Sequence, residues 1–315
     1  MSQIRACRLG PAGRVYTVDM DYGVDTVRVP GARLRTQVGG AGPALLLIPG
    51  GGGDAEMYAE VMPLLADRFT VLTYDRRGNS RSPLDAADAP VDVATQADDA
   101  IAVLDQHGVD RAYLFGNSSG AIVALDVVAR HHDRLLGAVV HEPPPMLGLL
   151  PDSPEQRELD GLRRTADAEG PLRGFVAFAA MTMPRPPKPF TTRTGRALTA
   201  AAMRLVLAGS AVRTRVTGRP PGGMTRLVGN AGILFRRELP AFCYEYRPDL
   251  DALAATGLRW RLATGADSVG RPYHRPAHLI GARTGVPCVE FPGGHTVYQQ
   301  RPDEFARCLI GHLAP

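Results

Sequence analysis

The run Gly116-Asn117-Ser118-Ser119-Gly120 holds an alcohol between two glycines. A serine hydroxyl is a weak nucleophile, and it attacks a carbonyl only when a tight turn lifts it clear of the backbone and a base lies in reach. Glycines two residues to either side relieve the crowding that such a turn creates. With 35 glycines and eight serines in 315 residues, the five-residue pattern is expected about 0.1 times by chance. Its setting adds weight. Residues 112–115 read as a buried strand and residues 119 to about 130 as a helix, so Ser118 falls at a strand-to-helix junction.

Of the eight histidines, His295 is the best base, because Pro292-Gly293-Gly294-His295 directly follows an apolar strand at residues 288–291. A loop beyond the carboxyl end of a strand is where open α/β sheets hold their ligands. His107, His131, His132 and His312 lie on or at the ends of expected helices and read as solvated. His274 and His278 are four apart, but Pro276 between them argues against a regular helix and a metal pair. An acid must orient the imidazole. Asp267 occupies the loop after the preceding strand, and the order Ser118, Asp267, His295 is the one this kind of sheet uses. Glu142, at the end of another strand, is the second candidate acid or a residue of the pocket floor. The oxyanion of the tetrahedral intermediate needs two backbone N–H donors. Ser119 offers one at a helix start; in Pro49-Gly50-Gly51-Gly52-Gly53, Gly51 is the first choice for the other and Gly52 the next.

Elements that would position these groups follow from periodicity. Residues 26–29 and 33–38 alternate around Pro30-Gly31, a hairpin signal. The continuous apolar run at 44–48 suits a strand buried on both faces, and further strands are read at 69–74, 112–115, 136–141, 259–264 and 288–291. Helical patterns at 56–66, 92 to about 107, 119 to about 130, 276–283 and 303 to about 313 alternate with them. The expected fold is α/β, a mostly parallel central sheet flanked by helices. Residues 143–248 are rich in Pro and Gly, with helical pieces and no alternation. They read as an inserted helical cap, leaving 1–142 and 249–315 as the core.

Bulk composition removes several classes. The chain is 44% hydrophobic and 22% charged, as in ordinary globular proteins. Its net charge of +4 is carried almost wholly by arginine, since Lys188 is the only lysine, and just 6% of residues are aromatic. No clustered basic and aromatic face points to nucleic acid. Cys7, Cys243, Cys288 and Cys308 lie at no metal-ligand spacing and form no disulfide framework. Met1 to Arg14 lacks the apolar centre of a signal peptide, and no run of 18 apolar residues exists. The expectation is a cytoplasmic protein with a small-molecule substrate, no metal, no cofactor and no membrane partner.

Together these residues resemble the α/β-hydrolase superfamily, in its capped, single-chain group of esterases, lactonases and related enzymes. The stretches that match are Ile48-Pro49-Gly50-Gly51, Tyr74-Asp75-Arg76-Arg77-Gly78-Asn79-Ser80, the turn at Ser118, Asp267 and Gly294-His295. They run from about residue 24 to the C-terminus, the insertion excepted. Many members have His-Gly where this chain has Pro49-Gly50; the donor is a backbone N–H, so the hole survives the change. Haloalkane dehalogenases and epoxide hydrolases resemble the same plan but attack with Asp, and Ser118 argues against both.

The resemblance implies a serine hydrolase acting on an ester, thioester or lactone. Carbon–carbon bond hydrolysis, or a cofactor-free lyase or cyclase step, is the alternative within the fold. A nicotinamide oxidoreductase would read Gly50-x-Gly52-x-x-Ala55 and Asp75 as a loose dinucleotide fingerprint, but leaves Ser118 and His295 without a role. A non-catalytic binder is disfavoured because every member of the triad is present. In the insertion, Phe175, Phe178, Met181 and Met183 suggest an apolar substrate. Arg163, Arg164, Arg193, Arg204 and Arg213 read as a solvated face, or as a contact for an acyl group borne on an anionic carrier.

Overall fold

The computed structural model describes residues 2–9 and 15–313, with side chains from Tyr22 onward. The reading of Met1 to Arg14 thus falls partly outside the described residues, as do Met1, residues 10–14 and the last two positions. Nine strands form one sheet: β1 (Ser2–Leu9), β2 (Val15–Val29), β3 (Ala32–Gly40), β4 (Ala44–Ile48), β5 (Thr70–Tyr74), β6 (Ala112–Asn117), β7 (Leu135–His141), β8 (Trp260–Gly265) and β9 (Cys288–Phe291). Their order is β1-β2-β3-β5-β4-β6-β7-β8-β9. The first three pair antiparallel, and everything from β5 to β9 is parallel. β2 turns into β3 at Pro30-Gly31, with Val29 opposite Ala32 and Gly31 at φ 77°, a region that suits glycine. The hairpin and the mixed sheet match the sequence reading.

β4, at the centre of the parallel part of the sheet, is apolar throughout because both its faces are covered. Every residue of β4 is buried. On one face pack α1 (Val93–Gln106) and α2 (Ser119–Arg130), with Ala97, Ala100, Val103 and Leu104 directed inward from α1. On the other, Phe291, Tyr298 and Phe305 pack with Phe115 and Val139 around the closing helix. Asp92 caps α1 by accepting from the Thr95 N–H. The expected helix at 56–66 is instead two short turns, Ala55–Tyr58 and Met62–Leu65. Asp54 caps the first, and Pro63, which cannot supply an N–H to a continuing helix, opens the second.

Between β7 and β8 no strand occurs. Helices α3 (Pro154–Glu169), α4 (Pro171–Thr182), α5 (Arg193–Thr217) and α6 (Gly223–Gly229) lead into two π-helical turns, Leu234–Glu238 and Pro240–Glu245. This segment sits over the carboxyl ends of β4, β5 and β6. A methyl group on Gly52 would strike Leu227, and one on Gly78 would strike Ile233. The chain closes with α7 (His274–Thr284) and α8 (Pro302–Leu313). Pro276 sits in the first turn of α7, where its missing N–H costs nothing. His274 and His278 therefore do lie one turn apart, rings 4.7 Å between centroids, contrary to the sequence argument from Pro276. Among the described residues no third ligand joins them.

Candidate active site

Ser118 stands where β6 turns into α2, at φ 56° and ψ −126°, a conformation L residues adopt at a cost of about 1–3 kcal/mol. Its N–H donates to the carbonyl of His141 at 3.0 Å, which fixes the turn to the end of β7. The flanking glycines are required by space. A methyl group at Gly116 would lie 2.4 Å from the Gly120 carbonyl oxygen, and one at Gly120 would lie 2.4 Å from that of Ile48. The turn can form only because the helix sits directly on the two strands.

His295 is buried at the end of the loop after β9, 3% exposed. Its Nδ1 lies 2.6 Å from Oε2 of Glu142, the residue that follows β7. The other oxygen of Glu142 accepts from the Gly265 N–H at 2.7 Å, and its backbone N–H donates to the Ala263 carbonyl at 3.0 Å. The Tyr273 ring stacks on the imidazole, 3.9 Å between centroids. Burial pushes the Glu142 carboxyl up. The neighbouring His141 and the hydrogen bond from His295 outweigh this and bring it from 4.5 down to about 2. An ionised Glu142 accepts a hydrogen bond from Nδ1–H, leaving the Nε2 lone pair of His295 free to accept a proton.

Asp267 does not occupy that place. After β8 the chain makes a short 3-10 turn, Ala266–Ser268, and the Asp267 N–H donates to the Gly293 carbonyl at 2.8 Å. The backbone thus lies beside the histidine loop while the carboxylate leaves it, 55% exposed and 3.9 Å from Arg301. The structure brings Glu142, the second candidate, and not Asp267 against the imidazole, since its position one residue past β7 carries it there.

Ser118, Ser119, Gly51 and His295 line one cavity. Most of its remaining wall is apolar, with Leu159, Leu162, Phe178, Met181, Leu234 and Phe242 from the insertion, while Thr182, Glu238 and Tyr273 also line it. Gly52, by contrast, is turned towards the insertion, with its carbonyl accepting from Asn230 at 2.6 Å.

A family description of the α/β hydrolase fold matches residues 43–185. The hydrolase YraK of Bacillus subtilis (strain 168), itself uncharacterized, is 31% identical over 291 residues, covering 90% of this chain and 93% of YraK. The chain belongs to the α/β-hydrolase family. Solved structures share the fold of this hydrolase at low identity. A bromoperoxidase from Bacillus anthracis superposes with a TM-score of 0.68 at 16% identity, covering 93% of this chain and all (100%) of that one. An enol-lactonase from Burkholderia xenovorans LB400 gives 0.63 at 19% identity, covering 92% and 100%.

The hydrolase also holds a buried charge cluster that the sequence reading passed over. Arg76, wholly buried after β5, donates from NH1 to Glu238 at 2.8 Å and to Gln96 at 2.7 Å. Its NH2 donates to Glu238 at 3.0 Å, to the Gly50 carbonyl at 3.0 Å and to Ser119 Oγ at 3.2 Å. The peptide between Gly50 and Gly51 is trans, so a carbonyl pointed at Arg76 aims the Gly51 N–H the opposite way, towards the cavity. One guanidinium thereby ties the Gly50 carbonyl and the Ser119 hydroxyl together. Glu238 lies in the insertion, on the first π-helical turn, and Arg226 of α6 adds a second tie to Asp54 at 2.9 Å. Arg76 stood in plain sight within Asp75-Arg76-Arg77-Gly78, but its partner is 162 residues away, a distance no local spacing reveals.

His141 was missed as well. It is buried at the end of β7, Nδ1 2.7 Å from Asn117 Oδ1, with Nε2 unpartnered among the described residues. Burial, aided by His295, lowers it from 6.5 to about 4, against the pull of Glu142. Asn117 in turn donates to Tyr298 Oη at 3.1 Å, so the residue before Ser118 is held from both sides.

Proposed function

We propose that this hydrolase cleaves the ester, thioester or lactone of an apolar acyl group through a covalent acyl-enzyme on Ser118. The observation that carries the reading is one cavity holding Ser118, His295, Gly51 and Ser119 beneath an apolar wall. His295 Nε2 takes the Ser118 proton as Oγ forms its bond to the substrate carbonyl carbon, and the carbonyl π electrons move to oxygen. The oxyanion accepts hydrogen bonds from the N–H groups of Gly51 and Ser119. The latter lies at the first turn of α2, where the helix dipole adds to the stabilisation. Glu142, not Asp267, balances the imidazolium.

Collapse of the intermediate expels the alcohol, thiol or lactone oxygen, which takes the proton from His295. Water then gives its proton to His295 and attacks the acyl carbon, releasing the acid and restoring Ser118. Residues 143–248 serve as the cap that shapes the acyl site. Phe178, Leu234, Leu159 and Phe242 offer no donor or acceptor for a polar acyl chain.

The test is hydrolysis of p-nitrophenyl esters of increasing chain length by wild type and Ser118→Ala in parallel. A burst of p-nitrophenol from wild type, silence from Ser118→Ala and a maximum at a chain of several carbons are expected. Turnover by Ser118→Ala, or failure of a fluorophosphonate to label Ser118, would refute the acyl-enzyme.

A further inference from the structure

Between residues 170 and 237 the chain carries twelve Arg and Lys residues and no Asp or Glu. The centre of this segment is α5, a 25-residue helix of which only Ala200 is buried. Its inner side rests on α4 and the neighbouring helices. The outer side is apolar. Leu198, Leu205, Val206, Val212 and Val216 are 58% to 78% exposed, and Met224 beyond the helix is 72% exposed. Leu198, Ala202, Leu205, Gly209, Val212 and Val216 follow the 4-3-4-3-4 spacing of a single helical stripe, about 27 Å long at the rise of an α-helix. A soluble surface rarely leaves such a stripe uncovered.

The charges decide what covers it. Arg213 flanks the stripe on one side, Arg204 and Arg215 on the other, all exposed. Arg193, at the helix start, pairs with Glu169 at 3.2 Å. Arg204, Arg213, Arg215 and Arg219 make no ion pair among the described residues. A second copy paired along α5 would place these arginines against their own kind. The positions beside the seam are Thr199, Val206 and Arg213 on one edge and Ala201, Ala208 and Arg215 on the other, with no acid to answer them. An anionic lipid surface answers both features, taking the leucines and valines into its acyl boundary and the guanidinium groups at its phosphates.

We propose that α5 seats the hydrolase on an anionic lipid surface. Leu198, Leu205, Val212 and Val216 enter the membrane boundary, and Arg204, Arg213 and Arg215 lie at headgroup level. No helix of the described residues is long and apolar enough to cross a membrane, so the attachment is peripheral. It reverses the expectation of no membrane partner drawn from composition. The side of α5 turned away from the stripe carries Arg196 towards the substrate site. A groove lined by Glu158, Thr165 and Arg196 of α5 shares Leu162 and Met181 with the catalytic cavity. The docking does not depend on the acyl chemistry.

The experiment is co-sedimentation of the full chain with vesicles of phosphatidylglycerol and phosphatidylcholine in equal parts, and with phosphatidylcholine alone, across a salt series. Thermal unfolding of each variant verifies its fold. Wild type should sediment with the anionic vesicles and not with the neutral ones, and should be released by salt. The double variant Leu205→Asp/Val212→Asp should lose at least tenfold in binding, and Arg204→Gln/Arg213→Gln should lose a similar amount with a shallower salt dependence. Equal binding to neutral vesicles, or full binding by Leu205→Asp/Val212→Asp, overturns the proposal. So does a wild-type dimer in sedimentation equilibrium that the Asp variant splits and that ignores vesicles, because the cover is then a second copy. If the Asp variant fails to fold, the Gln pair decides: unchanged binding by that pair overturns the proposal.

Discussion

Removing Glu238 should damage stability and turnover by separable routes. Its carboxylate and the Arg76 guanidinium are 1% and 0% exposed, so Glu238→Ala leaves a cation buried with only Gln96, Ser119 and the Gly50 carbonyl to satisfy it. Asn79, which donates to Glu238 at 2.9 Å and to the Arg77 carbonyl at 3.1 Å, loses the first of these acceptors. Breaking a buried pair from one side costs about 3–5 kcal/mol. At about 2 °C per kcal/mol for a chain of this size, the Tm should drop by about 6–10 °C. Arg76→Met/Glu238→Leu removes both charges and should recover most of that loss, since an apolar replacement of a buried pair is often neutral. Turnover should not recover, because the Gly50 carbonyl is no longer held and the Gly51 N–H is free to swing. Loss of one oxyanion donor costs about 10²–10³ in kcat, and a loosened one should cost about tenfold or more. The assay is thermal unfolding with burst kinetics on all three variants. A double variant that regains both Tm and kcat would show that Arg76 serves stability alone. A Glu238→Ala variant unchanged in both would refute the reasoning.

Other consequences are open to direct measurement. Ser118→Gly should abolish turnover yet raise stability by about 1 kcal/mol, since glycine accepts φ 56° without strain; a lowered Tm would contradict the strained turn. Gly120→Ala should fail to give folded protein, or unfold far below wild type, because its methyl would meet two carbonyl oxygens at 2.4 and 2.6 Å. Acid should destabilise the protein in two stages. His141, held at about 4 against 6.5, refuses a proton the unfolded chain accepts, so stability falls as pH drops from 6.5 to 4. Glu142, held at about 2 against 4.5, contributes fully above pH 4.5 and loses its contribution as pH falls towards 2. Urea midpoints measured across pH should show His141→Gln flattening the upper stage and sparing the lower. A wild-type midpoint that rises on acidification would refute both.

Those features that depend on local pattern were legible in the sequence. The continuous apolar strands, the glycine-flanked Ser118 and the histidine beyond the last strand each announce themselves within a few residues. The structure places Gly51 in the cavity wall and Gly52 against Asn230, a difference of direction that the run of four glycines does not show. What failed was any choice made by three-dimensional direction. Asp267 and Glu142 both follow sheet strands, and chain order favoured Asp267. Only the 3-10 turn at Ala266–Ser268 shows its carboxylate leaving the site, and only the β7–β8 pairing shows Glu142 reaching it. The Arg76–Glu238 pair was hidden because its members lie 162 residues apart, one in the core and one in the insertion. The apolar stripe of α5 was visible as spacing, but its exposure was not, since a buried helix and an uncovered one share the same pattern.

The most direct test of the site is single-turnover hydrolysis of one p-nitrophenyl ester by Glu142→Gln and Asp267→Asn beside wild type. Glu142→Gln should slow acylation by about 10⁴-fold, as expected when the group that fixes the imidazole tautomer is neutralised, while fluorophosphonate still labels Ser118 slowly. Asp267→Asn should remain within a few-fold of wild type, as expected for a carboxylate exposed to solvent beside Arg301. The opposite ranking, with Asp267→Asn silent and Glu142→Gln active, would contradict the triad of Ser118, His295 and Glu142.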